Sequence, residues 1–176
     1  MTTKTIRSRG LSRSWRGALA GLSIWCITSA LLSNRQIVIN TSPSVAPGLY
    51  WRSSAAPAVG QLIDFRIPLN ARHYVMQRTG QNGEDWFILK PIVAGPGDQI
   101  DTTSNWLVIN GRRVAPMPPA KDKYGHLLPI YRCHRTLGNG EFFVFSSRIP
   151  NSFDSRCYGP ISRDQIEAVR TALVTW

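Results

Sequence analysis

From residue 35 onward the sequence predicts a mostly β domain, a coiled antiparallel sheet or partial barrel, behind an N-terminal hydrophobic helix. Three observations lead there. Short runs rich in Val, Ile, Phe and Trp recur between Gly and Pro residues. The dipeptides Asn110-Gly111 and Asn139-Gly140 stand where tight turns are needed. The 14 glycines and 12 prolines suit a turn-rich sheet better than a helical bundle. One such domain fits 176 residues, a length that buries a real core.

Taken in order, the chain opens with Lys4, Arg7, Arg9, Arg13 and Arg16 before any acidic residue. Gly17–Asn34 then carries no charge. As a helix that segment would cover roughly 27 Å, near the lower limit for the hydrocarbon core. The layout predicts a basic cytoplasmic N-region over 1–16, a signal-anchor or transmembrane helix over 17–34, and an exported domain over 35–176. A cleaved signal peptide is the competing reading, for which Ser29–Ser33 offers only weak cleavage sites. Strands are expected at Gln36–Ile39, Gln61–Ile67, Trp86–Ala94, Trp106–Ile109 and Glu141–Phe145. Asn110-Gly111 should fold Arg112–Val114 back as a hairpin. Arg163–Leu173 has helical composition, and Pro57, Pro68 and the Pro116–Pro119 cluster mark surface loops.

The charge balance, 21 Lys+Arg against 10 Asp+Glu, is compatible with nucleic acid, anionic lipid or an acidic partner. Beyond the N-terminal stretch the charges are dispersed, with no basic patch interleaved with aromatics, so no direct nucleic-acid binding is expected. Cys26 sits in the apolar segment and behaves as a small hydrophobe. In an oxidising compartment Cys133 and Cys157 read as one disulfide, with free thiols the alternative. Two cysteines and the scattered His73, His126 and His134 lack metal-site spacing, so neither metal nor cofactor is expected.

Three segments carry chemistry. Ser42-Pro43-Ser44-Val45-Ala46-Pro47 follows the hydrophobic helix and by itself resembles a solvated turn. Phe87–Asp98 embeds Lys90 in a continuous apolar run, unusual for one of the least-buried residue types. Burial disfavours the ammonium, and a lysine brought from about 10.4 to about 8 supplies a neutral amine able to take a proton from a serine hydroxyl. Of the 21 basic residues only Lys4, Lys90, Lys121 and Lys123 are lysines, and arginine is not available for this work. In Asn151–Gly159, Ser152, Asp154 and Arg156 alternate; an extended backbone turns all three to one side, where Asp154 can pair with Arg156.

In order and spacing these blocks resemble the bacterial type I signal peptidases. That family carries Ser-x-Ser-Met-x-Pro after its anchor, matched with Val45 in place of Met. Its Lys block continues after five residues as Pro-Gly-Asp, matched by Lys90 and Pro96-Gly97-Asp98. Its last block is close to Asn151–Gly159, and Gly60–Phe65 echoes an intermediate block less well. The resemblance implies that Ser44 is the nucleophile and Lys90 the general base. It implies that Ser42, with the Ser44 backbone N–H, forms the oxyanion hole, that Ser152 orients the Lys, and that Asp154 and Arg156 support it.

The short spacing between the Lys block and the last block, with the run Pro47-Gly48-Leu49-Tyr50, is similar to the TraF-like, conjugative-transfer branch. That resemblance implies a periplasmic endopeptidase at the inner membrane that matures a membrane-inserted pilin precursor alongside a conjugative transfer apparatus. Water or the substrate's own amine would accept the acyl group. The alternatives are a general signal peptidase acting on exported preproteins, and a non-enzymatic assembly factor of the transfer apparatus.

Overall fold

The structure, a computed structural model, describes residues 13–80, 86–122 and 124–176. Most of the basic N-region, including Lys4, Arg7 and Arg9, lies outside the described residues. The chain divides into two units, Met1–Val38 and Ile39–Trp176. The first contains helix α1, Arg13–Ser33, over the expected hydrophobic segment. Its side chains from Gly21 to Ala30 are exposed. Among the described residues no helix is long and apolar enough to cross a membrane.

The second unit is antiparallel β, as expected. Its strands are β1 (Ile37–Asn40), β2 (Gly48–Ser53), β3 (Leu62–Arg66), β4 (Phe87–Ala94), β5 (Gln99–Asp101), β6 (Trp106–Ile109), β7 (Arg112–Pro116), β8 (His134–Thr136), β9 (Glu141–Val144), β10 (Ile161–Ser162) and β11 (Ile166–Thr175). One sheet has the order β1-β2-β11-β3-β4-β9-β10 and the other β7-β6-β5-β8. Both orders end in edge strands, so neither sheet closes into a barrel. Two short helices, α2 (Leu69–Thr79) and α3 (Ser155–Tyr158), complete the unit. The β6–β7 hairpin turns at Asn110-Gly111, where φ is 50° and 77°, the left-handed pair a two-residue turn requires.

Two apolar clusters form the core. Ile63, Phe65, Ile92, Val144, Ile161 and Val169 of the larger sheet pack with Tyr74 and Val75 of α2 and Tyr158 of α3. Ala94, Ile100, Leu107, Ala115 and Phe143 bring strands of both sheets into the other. The disulfide expectation is corrected here: Cys133 and Cys157 are both free. Cys157 belongs to the first cluster, whereas Cys133 packs against the second and meets Thr102. Burial pushes the Cys157 thiol up to about 12.

Two local expectations also change. Arg163–Leu173 is not helical: after a 3-10 turn at Arg163–Gln165, β11 lies between β2 and β3, pairing Val169 with Ile63 and Arg170 with Arg52. Central sheet pairing outweighs the helix-favouring Ala, Glu and Arg residues. Pro68 does not mark a loop; it is buried at the start of α2, and Gly80 ends that helix in a left-handed cap, φ 72°. The helix went unread because it buries only Ala71, Tyr74 and Val75.

Candidate active site

Lys90 lies on β4, opposite Ile63 of β3 and on the same buried face as Ile92 and Ala94. Alternation along the strand therefore turns the amine inward, where it is 3 % exposed. Ser44, 4 % exposed, occupies the turn between β1 and β2. Lys90 Nζ is hydrogen-bonded to Ser44 Oγ. Ser42, itself exposed, places its Oγ 3.0 Å from the same oxygen. Desolvation lowers the Lys90 pKa to about 8; the Arg156 charge adds to the lowering, while Asp154 opposes it. A near-neutral amine bonded to a buried hydroxyl can accept its proton, so the pair has the chemistry of a nucleophile and its base.

The Asn151–Gly159 block stands beside this pair. Asp154 caps α3 by accepting the Arg156 backbone N–H. Its carboxylate also takes Arg156 Nε and Nη2, both at 2.9 Å, with the two residues fully buried. The guanidinium donates to the Pro116 and Ser152 carbonyls at 2.7 and 3.3 Å and lies 4.5 Å from the Phe145 ring centroid. The Asp154–Arg156 pairing read from the sequence is present, but not through the extended backbone expected there: Arg156 lies in α3 and Asp154 is its N-cap. The expected Ser152–Lys90 bond is not present: Ser152 Oγ is buried and has no hydrogen-bond partner among the described residues, and Lys90 turns to Ser44.

Glycines and turn residues in the motifs have local causes. Gly97, φ 89°, lets Asp98 fold back so that its carboxylate accepts the Gly95 N–H at 2.8 Å and the Asn110 amide at 2.7 Å. A Cβ at Gly159 would stand 2.8 Å from the Tyr131 ring, and one at Gly48 would stand 2.2 Å from the Val174 carbonyl. The Pro47–Tyr50 run thus begins where β2 meets β11 at close range.

Two residues the sequence reading passed over hold the Ser44 turn. The Asn40 side chain accepts the Ser42 N–H at 3.1 Å and donates to the carbonyls of Ser42, Val45 and Ala46, each at 3.0 Å. Buried Ser146 donates to the Ser44 carbonyl. The only sequence signal was an Asn two residues before a Ser, the pattern of an Asx turn; nothing local pointed to Ser146.

Ser42, Ser44 and Lys90 open on a cleft of about 700 Å³ walled by Ile88, Leu128 and Phe153 among others. Asp122 also lines it, and its carboxylate gathers the Tyr74 hydroxyl at 2.9 Å, the His126 ring at 3.2 Å, and the Tyr124 and His126 N–H groups. A second, more open depression of about 550 Å³ shares Ser44 and is floored by Leu62, Pro91, Val93 and Phe145.

With this geometry in place, comparison with known proteins is specific. The model of the family described as signal peptidase, peptidase S26, matches residues 14–176. A plasmid transfer protein TraF from Escherichia coli is 31% identical over 94% of this chain and all of its own length. A second protein of that name and organism is 30% identical over 78% of this chain and 82% of its own. A solved signal peptidase I from Enterococcus faecalis aligns with 68% of this chain and all of its own at 20% identity, TM-score 0.39. The match across nearly the whole chain, together with the relatives it shares, makes this protein a TraF-like member of the signal peptidase family, peptidase S26, a family of serine peptidases.

Proposed function

We propose that the protein is a serine endopeptidase in which Ser44 is the nucleophile and Lys90 its general base, acting in plasmid transfer on a membrane-inserted pilin precursor. One observation carries the chemistry: the Lys90 amine, buried and lowered to about 8, is bonded to the Ser44 hydroxyl. In the neutral form of Lys90 that bond reverses, and Ser44 O–H donates to the Nζ lone pair. Attack on the scissile carbonyl moves the proton to Lys90, which returns it to the departing amine. The Ser44 N–H and the Ser42 hydroxyl receive the oxyanion; such donors typically contribute about 3–4 kcal/mol each to transition-state stabilisation.

The names of the two curated relatives support the setting in plasmid transfer. For location, the exposed apolar side chains of α1, Leu22, Ile24, Trp25 and Ile27, and the basic residues ahead of them support a domain held at the periplasmic face of the inner membrane. There an acyl-Ser44 ester partitions between water and a positioned substrate amine.

The test is co-production with a conjugative pilin precursor, read by mass spectrometry. Wild type should yield a shortened pilin, and Ser44→Ala none; a product one water lighter than the trimmed linear form identifies cyclisation. If Ser44→Ala still processes the precursor, the dyad is wrong. If wild type leaves pilin intact but trims ordinary exported preproteins, the substrate class is wrong.

A further inference from the structure

The turn carrying Ser44 connects two strands, yet it must present a hydroxyl to Lys90 and a backbone N–H to the oxyanion with sub-ångström fidelity. A displacement of about 1 Å at such a centre costs on the order of a hundredfold in rate. Side chains hold this turn. The carbonyls of Ser42, Val45 and Ala46 all accept from Asn40 Nδ2, whose two hydrogens are shared among three oxygens. The carbonyl of Ser44 accepts from Ser146, distant by 102 residues. Ala46 also accepts from the Tyr50 hydroxyl at 2.6 Å. Asn40 is 8 % and Ser146 3 % exposed, so both act largely out of competition with water.

We infer that Asn40 and Ser146 are positioning residues that clamp the turn of Ser44, fixing the peptide groups on either side of the nucleophile before substrate arrives. The inference rests on the Ser44/Lys90 reading. Asn40 sets the turn from its own N-terminal side: Oδ1 takes the Ser42 N–H while Nδ2 gathers the carbonyls beyond Ser44. Ser146, just past β9, ties the Ser44 peptide to the strand paired with β4, the strand of Lys90. Nucleophile and base are thereby referred to one rigid pair of strands. The Ser146 oxygen also accepts the Arg148 N–H at 3.3 Å, which directs the hydroxyl hydrogen toward Ser44.

Ser146→Ala and Asn40→Asp remove the donors and keep the volume. Both should lower the single-turnover acylation rate constant by about tenfold or more, the effect of one lost hydrogen bond at this point, with KM within about twofold. Amide exchange over 42–46 should accelerate while the rest of the domain is unchanged, and Ser146→Thr should restore both readouts. For Ser146→Ala, which adds no charge, the midpoint of the pH profile should stay put, because Lys90 keeps its surroundings. Wild-type acylation and exchange in both variants, or a loss confined to KM, overturns the clamp. Exchange measured in a Ser44→Ala background separates the two hypotheses. Cleavage surviving Ser44→Ala defeats the dyad, whereas unchanged loop exchange on adding Asn40→Asp or Ser146→Ala defeats the clamp.

Discussion

Lys90 on β4 reaches the hydroxyl of Ser44, 46 residues earlier in the chain, from a position directly opposite Ile63 of β3. The amine therefore sits against an apolar strand, with the Asp154–Arg156 pair as its charged neighbour. Burial costs the ammonium more than the carboxylate restores, and the net result is a base poised near neutrality.

Activity should follow that lysine. In the proposed dyad the neutral amine is the working form, so kcat/KM for a peptide substrate should rise with pH through a midpoint near 8, with about a tenth of the maximum at pH 7. A flat profile between pH 6 and 9 contradicts this assignment.

Stability should move the opposite way when the lysine is removed. Because its pKa falls from 10.5 unfolded to about 8 folded, the cost of burying the charge is fully present below pH 8 and disappears as pH rises toward 10.5. Lys90→Met should abolish cleavage yet stabilise the fold at pH 7 by up to about 3 kcal/mol, a gain that shrinks toward pH 10.5. Urea unfolding at pH 7 and pH 10 measures both.

The buried Asp64–Arg170 pair, bidentate at 2.8 and 2.9 Å, ties β3 to β11. Arg170→Met alone removes the bidentate guanidinium from a buried carboxylate and should cost about 3–5 kcal/mol. Asp64→Leu with Arg170→Met should recover most of that loss, in denaturant melts of the single and double variants.

Gly159→Ala should destabilise by about 1–3 kcal/mol, since φ 87° is strained for alanine and the new methyl meets Tyr131. Tyr131→Ala in the same chain should recover the steric part but not the backbone part, giving partial rescue in thermal unfolding.

Cys133 and Cys157 should both be alkylated on unfolding without reductant. Before unfolding, Cys157 should stay unreactive, buried as a protonated thiol. A native mass two hydrogens light would mean a disulfide.

Much was legible before any coordinates. Short apolar runs, the turn dipeptides, an isolated lysine within a continuous apolar run and the spacing of three short blocks point to a β domain, the pair Ser44 and Lys90, and the Asp154–Arg156 contact. These are local signals: a cation within an apolar run, positive φ at Asn-Gly, and a carboxylate two residues before a guanidinium. What depended on distant partners was not legible. Helical composition at Arg163–Leu173 yields to the two strands flanking β11. The cysteines belong to different apolar clusters. Asn40 and Ser146 reach the carbonyls of the Ser44 turn only because the fold brings that turn beside β9, the strand paired with that of Lys90. Sequence alone determined which groups are candidates for the chemistry, because pKa and nucleophilicity begin with residue type. The tertiary structure decided how that hydroxyl is held, because the carbonyls of its turn are satisfied by side chains near and far rather than by a ladder the sequence announces.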